Sequence, residues 1–521
     1  MRAVEVVLLL VVLATTVAAL ADRLGAPAPS LLVIVGVLVG LVPGIPALVV
    51  PPEVISTVVL PPLVFAGALD LSARDLRSVA APVATLAVGL VAASALAIAV
   101  VTHALLPQVG LAAGLVLGAA LASTDPVAVA ALARQLRLPP RLLALVQAES
   151  LFNDATSLVT FTIAVQVVTR GSTPGVPHVL LELLRLAAGG AAVGLLAGAA
   201  STELRGRAHD PLVATAVALV TPYGAYVGAE SFGASGVTAV VVAGVLSGSR
   251  LPRVTAPASR LQVASVLGTV VFLLESVVFG IIGFGLPTLV RDLPGGDTGI
   301  ALPAVVIVAV VVVARVVWVF PTARLPALLR RGSQEAPSSR ALAVVAWTGT
   351  RGVVPLAAVL SIPLTVDAGA PFPHRDLLLA LASTTIAATL VGQGLTLGPL
   401  VRRLGVVVDP AGEAEDEARA RLALALAASA ELSDLLDREA APAVVVARLQ
   451  QGLEARIERS RQRLDPDDEG APTSEPYRRL RRHLLEVETG ELLRLRDAGE
   501  ISERTRRAVQ RSLDLEDAGL G

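Results

Sequence analysis

The sequence predicts an all-α polytopic membrane protein of about thirteen transmembrane helices, followed by a helical cytoplasmic domain. Hydrophobic residues make up 54% of the chain, the mean hydropathy is +0.74, and charged residues amount to only 16%. A soluble domain carries about a quarter charged residues. The charges are also unevenly distributed, being sparse as far as Gly405 and dense after it. We therefore divide the chain into a membrane domain, 1–405, and a helical tail, 406–521.

Breaks at Pro, Gly and Arg clusters separate thirteen apolar stretches, each close to the ~20 residues that a helix needs to cross a bilayer. In chain order the predicted spans are 4–21, 29–49, 54–70, 79–106, 111–133, 141–168, 179–202, 211–231, 235–249, 261–290, 300–322, 341–363 and 376–401. The first stretch resembles a secretory signal peptide. Its only basic residue, Arg2, is followed closely by Glu5, so we retain it as a span.

The arginine distribution predicts the orientation of these spans. Alternate loops, beginning after the first span, contain seventeen arginines, whereas the amino terminus and the opposite loops contain four. Cytoplasmic loops carry the excess of positive charge. We expect an inner-membrane protein with its amino terminus outside and its tail in the cytoplasm. An odd count also suits two inverted six-helix repeats joined by the seventh span.

Two spans are interrupted in corresponding positions of the two halves. The fifth breaks at residues 123–126, where Pro126 removes a helical hydrogen bond and leaves Thr124 and Asp125 on opened backbone. The twelfth breaks at residues 349–352. Discontinuous helices that cross near the bilayer midplane form the substrate sites of many transporters. The alternative is a simple proline kink in which Asp125 caps a half-helix.

Carboxylates in apolar spans are the strongest indication of function. Asp125, Glu149 and Asp154 lie in the fifth and sixth spans, where a charge costs roughly 2.5–3.5 kcal/mol on insertion scales. On a helix, positions i and i+4 share a face, so Ser150 lies below Asp154 and Glu149 lies below Asn153. This polar stripe predicts a cation or proton pathway. The alternative is a hydrogen-bonding stripe that only packs helices.

Other charged residues at membrane depth are secondary candidates. Arg315 lies in the middle of the eleventh span, Arg351 lies in the break of the twelfth, and Glu275 lies in the tenth. An unpaired guanidinium is as costly in lipid as an unpaired carboxylate. We expect each arginine to pair with an acid or to line water.

Several motifs together resemble one known family. ASTDPVAV and ESLFNDATSLV are similar to motifs of the electroneutral monovalent cation:proton antiporters, the sodium/proton exchangers of NhaP/NHE type. LPPLVFAGAL, FLLESVVFGIIGFGLP, ARVVWVFP and WTGTRGVVPLA agree in the same order along the membrane domain. The resemblance implies a homodimeric secondary antiporter that moves Na⁺ against H⁺ by alternating access, in support of pH and sodium homeostasis, and that needs no cofactor.

The resemblance also implies roles for single residues. Asp154 is the principal carrier of cation and proton, and an Asn at position 153 marks one-for-one exchange. Glu149 and Arg315 form a structural ion pair. The implied Na⁺ ligands are Asp154, Asp125, Ser150 and Thr124, and Glu149 and Asn153 complete the predicted cation and proton site. Arg351, Glu275 and Pro126 are secondary candidates because of their positions in the spans.

Composition excludes some functions and leaves others open. Cysteine is absent, and a net charge of −1 gives no support for nucleic-acid binding. An intramembrane aspartyl protease would need a Gly-x-Gly-Asp motif, which the sequence lacks. A K⁺/H⁺ antiporter, a cation channel and a non-transporting ion or pH sensor remain as alternatives. The tail has helical periodicity, and we expect either a regulatory or dimerising role or no role in transport.

Overall fold

The computed structural model describes residues 12–519, except 18, 22, 25, 43–53, 72, 126–137, 172–174, 292–295, 330–337, 368, 407–409, 439–442, 465–473, 499 and 501–502. The chain forms two compact units, Met1–Val407 and Val408–Gly521. Apart from an isolated bridge between Thr365 and Pro371, every regular element of the described residues is helical. The predicted all-α class is confirmed.

The first unit begins with helical residues between 12 and 24, so the predicted first span lies partly outside the described residues. Its further helices are α1 (Ala28–Gly40), α2 (Leu60–Leu69), α3 (Ala73–Ala84), α4 (Val91–Leu105), α5 (Leu111–Ala122), α6 (Pro140–Arg170), α7 (Val176–Arg207), α8 (Pro211–Ser231), α9 (Gly236–Val254), α10 (Pro257–Arg291), α11 (Gly296–Leu329), α12 (Ser339–Trp347), α13 (Val353–Leu360) and α14 (Arg375–Leu404). Two π-helical segments, Ile55–Val59 and Thr85–Leu90, continue directly into α2 and α4.

Seven helices of the described residues are long and apolar enough to cross a membrane, and several shorter apolar helices accompany them. The predicted fifth span contains the short α5, and the predicted twelfth contains the two half-helices α12 and α13. The count of thirteen spans and the inverted repeat stay predictions.

Local sequence explains where many of these helices begin and end. Asp210 caps α8 by accepting the Leu212 N–H at 2.8 Å, and Ser235 caps α9 through the Thr238 N–H at 3.2 Å. Gly171 ends α6 in the left-handed conformation, at a φ of 65°, which costs glycine little. Each of these caps satisfies one of the backbone groups that a helix end leaves without a partner.

The core around the interrupted helices is built from several different spans. One buried cluster joins α4, α5, α13 and α14 through side chains such as Ile98, Leu117, Val359 and Leu381. Small residues let α5 approach α4, since a Cβ on Gly118 would lie 2.2 Å from the Ala95 carbonyl oxygen. This packing holds the end of α5 at a fixed depth.

The second unit contains four helices, α15 (Pro410–Arg438), α16 (Ala443–Leu464), α17 (Ser474–Asp497) and α18 (Glu503–Gly519). α15 packs on α16, and α17 packs on α18. Ion pairs between the latter two helices join Arg481 to Glu516 at 2.7 Å and Arg482 to Asp517 at 3.4 Å. The basic run of α17 is therefore partly neutralised within this unit.

Candidate functional site

The two interrupted spans meet at their breaks. α5 ends at Ala122, α12 ends at Trp347, and neither residues 123–125 nor residues 348–352 are helical. The Asp125 N–H donates to the Thr350 carbonyl oxygen, and the Thr350 hydroxyl donates to the Asp125 carbonyl oxygen, both at 2.8 Å. Each break thus provides hydrogen-bond partners for backbone groups of the other. Backbone N–H and C=O groups need such partners within a membrane because no water is available there. We call these two segments the crossing. Pro126 lies outside the described residues.

Charged side chains lie at the open ends of the half-helices. The buried Arg351 guanidinium donates to the Leu121 carbonyl oxygen at 2.7 Å and also to that of Gly349. A cation at the carboxyl end of α5 is favoured by the helix dipole. In the described chain these hydrogen bonds go to carbonyl oxygens and not to an acid, and the alternative prediction that Arg351 lines water stays a prediction. The Gly349 carbonyl is a near neighbour in the sequence, whereas only the tertiary structure brings the Leu121 carbonyl within reach.

Asp125 lies at the amino end of α13. A Cβ added to Gly352, the residue before that helix, would lie 1.4 Å from Asp125 Oδ2. The carboxylate therefore lies against bare backbone, where the positive end of the helix dipole favours an anion. This arrangement requires glycine at position 352.

Asp154 projects from α6 toward the end of α5. Its side chain is 6% exposed, and its Oδ1 accepts a hydrogen bond from the Ser123 hydroxyl. Asp125 is close enough for the two negative charges to interact. Ser123 directly precedes the Thr-Asp-Pro motif but was not among the residues predicted for the site. The site thus combines two carboxylates with hydroxyl and carbonyl oxygens, the hard ligands that alkali cations prefer.

Asn153 and Ser150 hold the backbone of the fifth-span break. Asn153 accepts the Thr124 N–H at 3.3 Å and donates to the Thr124 hydroxyl at 2.7 Å. The Ser150 hydroxyl donates to the Thr124 carbonyl oxygen at 2.6 Å. The Asn153 and Ser150 side chains therefore replace backbone hydrogen bonds that the fifth span would have made as an unbroken helix. Oxygen lone pairs of Ser150 and Thr124 can still face a cation.

The Glu149 carboxylate is bound by a buried arginine. Arg315 on α11 donates to both carboxylate oxygens, at 2.8 Å for the Nη2–Oε2 bond, and both side chains are at most 1% exposed. Arg315 also donates to the Val345 carbonyl oxygen through Nε at 3.1 Å. The ion pair therefore links α6, α11 and α12 just below the crossing.

Glu275 lies on α10, within electrostatic range of Asp125. It adds a third acidic group near the crossing from a different helix. In the ranges that the structure describes, no group of three His, Asp or Glu side chains is arranged to hold a metal ion. The candidate cation ligands therefore include hydroxyl and carbonyl oxygens besides the carboxylates.

Comparisons with known proteins identify the family of the chain. Residues 8–403 match the family described as "Sodium/hydrogen exchanger, transmembrane". An uncharacterized Na(+)/H(+) exchanger of Mycobacterium tuberculosis is 32% identical over 504 residues, which cover 94% of this chain and 91% of the relative. A low-affinity Na(+)/H(+) antiporter of Synechocystis is 33% identical, with 74% and 70% of the two chains covered.

The fold has a solved counterpart. The sodium proton antiporter MjNhaP1 of Methanocaldococcus jannaschii at pH 8 superposes with a TM-score of 0.60 and 22% identity, over 78% of this chain and 99% of that one. The likeness shows a shared fold. The chain is a multi-pass membrane protein that belongs to the sodium/hydrogen exchanger family, whose members are secondary transporters of cations and protons and not enzymes.

Proposed function

We propose that the protein exchanges one Na⁺ for one H⁺ across the cytoplasmic membrane, and that both ions compete for Asp154. The observation that carries the proposal is the position of this carboxylate. It is buried beside the crossing, and its Oδ1 accepts a hydroxyl hydrogen bond from Ser123. Among the residues that the structure describes, no arginine forms an ion pair with it, whereas Arg315 pairs with Glu149.

Competition follows from the chemistry of a single carboxylate. A proton and a cation each neutralise the Asp154 charge, so each displaces the other. A bare carboxylate is costly to carry through a low-dielectric barrier, whereas the neutralised site is not. The site therefore becomes accessible from the other face of the membrane only when Na⁺ or H⁺ is bound. This makes the exchange of one ion for the other obligatory. In this scheme Asp125, Thr124 and Ser150 supply further oxygen ligands to Na⁺.

The one-for-one ratio rests on the neighbouring residues. Asn153 carries no charge, and both ends of its amide hold Thr124. Glu149 carries a charge that Arg315 balances in every step. One titrating carboxylate then moves either one Na⁺ or one H⁺, and no net charge crosses the membrane.

The cation, the orientation and the assembly belong to the same proposal. A Bacillus pumilus relative, 29% identical over 70% of this chain, is named a sodium, potassium, lithium and rubidium/H(+) antiporter, which makes K⁺ the second candidate cation. The arginine distribution supports an outer amino terminus and a cytoplasmic tail. We also propose a homodimer, as the family resemblance implies.

The test uses purified protein in proteoliposomes with an acidic interior. Added Na⁺ should dissipate the pH gradient in the wild type, and the Asp154→Asn protein should lose this activity, because the amide neither titrates nor attracts a cation. Asp376→Asn, at an exposed carboxylate, is the matched control and should retain it. Li⁺ and K⁺ define the selectivity.

Voltage provides the second part of the test. A membrane potential set by valinomycin should leave the initial Na⁺/H⁺ rate unchanged. A rate that follows the potential would contradict one-for-one exchange. Normal exchange by Asp154→Asn would contradict the site, and the absence of flux with every cation would support the non-transporting sensor.

A further inference from the structure

The π-helical segment Thr85–Leu90, here called the π-turn, lies between α3 and α4. Pro82, which lacks an N–H, stands three residues before it inside α3. π-turns inside longer helices widen the backbone locally, and they often occur at functional sites. Here the Thr85 carbonyl oxygen accepts a hydrogen bond from the indole N–H of Trp318 on α11 at 3.1 Å.

The indole also fills space that any side chain at position 89 would need. A Cβ on Gly89 would lie 2.4 Å from Trp318 Cζ2, well inside van der Waals contact. The ring thus packs directly on the bare backbone of the π-turn. The Trp318 ring packed on Gly89 and its hydrogen bond to Thr85 together fix the position of α11 along the axis of α4.

This contact lies next to the buried ion pair. Trp318 follows Arg315 by one helical turn, so the two side chains share one side of α11.

A buried cluster connects the π-turn to the helix that carries Glu149. Leu86 and Leu90 of the π-turn belong to this cluster with Val146, which lies one turn before Glu149. That cluster also includes Val319, Leu342 and Val345, and Trp318 packs against it. The π-turn therefore supports both helices that carry the pair.

We propose that Trp318, packed on Gly89 in the π-turn, is a positioning residue for ion exchange. It sets the depth of Arg315, and so keeps the Glu149 carboxylate bound to the guanidinium and away from the cation ligands at Asp154. The reason is geometric: two-pronged hydrogen bonding between guanidinium and carboxylate tolerates little displacement. A released Glu149 would be an additional carboxylate that competes with Asp154 and Asp125 for Na⁺.

This inference rests on the proposed function, and transport in the variants tests it. Gly89→Ala should raise the Na⁺ concentration for half-maximal exchange roughly three- to tenfold, with a smaller change in the maximal rate. Gly67→Ala is the control, since nothing lies within 4 Å of a Cβ there. Adding Trp318→Phe to Gly89→Ala should restore much of the Na⁺ dependence, because the smaller ring leaves room for the methyl group.

A transport-independent measurement separates this idea from the proposed function. The chain contains two tryptophans, so Trp347→Phe leaves Trp318 as the sole indole. In that background, Arg315→Lys should shift the emission of Trp318. An unshifted emission, or Gly89→Ala transport equal to that of Gly67→Ala, would overturn the positioning role. If Gly89→Ala does not accumulate, Trp318→Phe decides: its Na⁺ dependence should change, whereas that of Trp347→Phe should not.

Discussion

At the scale of single residues, the site divides its polar side chains between structure and ion binding. Asn153 makes two hydrogen bonds to Thr124 across the break of the fifth span, and Ser150 makes a third. Within the described part of the chain, the hydrogen bond to the Asp154 carboxylate comes from one hydroxyl group, that of Ser123. A carboxylate with free acceptor capacity can exchange its ligand, whereas an amide with both ends occupied holds the backbone.

The Glu149–Arg315 pair allows a stability prediction. Glu149→Leu should destabilise the membrane unit by roughly 3–5 kcal/mol, because it leaves a buried guanidinium without its acid. Thermal unfolding in detergent measures the change. The double variant Glu149→Leu/Arg315→Met should be more stable than Glu149→Leu alone, since it removes the uncompensated charge. Equal melting temperatures for the two variants would show that the charge is compensated in another way.

At the scale of elements, the crossing depends on two half-helices whose ends carry opposite charges. Arg351 lies at the carboxyl end of α5, and Asp125 lies at the amino end of α13. The segments between them are joined by the two hydrogen bonds between Asp125 and Thr350. Ends stabilised in this way can remain non-helical at membrane depth.

Gly352→Ala tests this arrangement. The methyl group would overlap Asp125 Oδ2, so the carboxylate must move away from α13, and we expect exchange to fall at least tenfold, a cost of roughly 1.4 kcal/mol or more. Proteoliposome rates measure the effect. Gly392→Ala on α14 is the control, because nothing lies within 4 Å of its added Cβ. Wild-type exchange by Gly352→Ala would mean that Asp125 has another acceptable position.

At the scale of the whole molecule, the chain combines a membrane unit that carries the site with a charged helical unit. The second unit contains several exposed ion pairs. Each such pair contributes little to the free energy of unfolding and is screened by salt. The Arg481 guanidinium donates a hydrogen bond to Glu516, and this holds the pKa of that carboxyl below its usual value. Arg494 does the same for Glu491.

These shifts predict the pH response of α17 and α18. A carboxyl whose pKa is lowered by folding stabilises the fold above its unfolded pKa, about 4.3, and loses that contribution as the pH falls through the lower folded value. Hydrogen exchange of α18 in the full protein, corrected for intrinsic rates, should therefore accelerate below about pH 4.3 and stay constant from pH 6 to 8. Glu516→Gln should weaken this acid response.

Much of this protein could be predicted from local sequence. The helical class and the membrane unit follow from apolar stretches of sufficient length, and hydrophobicity is a local property. The breaks that the structure shows at 123–125 and 348–352 were predicted, within a residue, from nearby Pro and Gly, which act on their own backbone. Helical periodicity also placed Glu149, Ser150, Asn153 and Asp154 on one polar stripe.

The partners of those residues were decided by tertiary structure. Ser123 as the donor to Asp154, Leu121 as an acceptor for Arg351, and Gly89 beneath Trp318 all join residues that lie on different elements. Periodicity gives the face of a helix on which a residue lies, but it gives neither the depth of that helix nor its rotation against its neighbours. Packing among many helices sets both, and a hydrogen bond depends on differences of less than 1 Å or so.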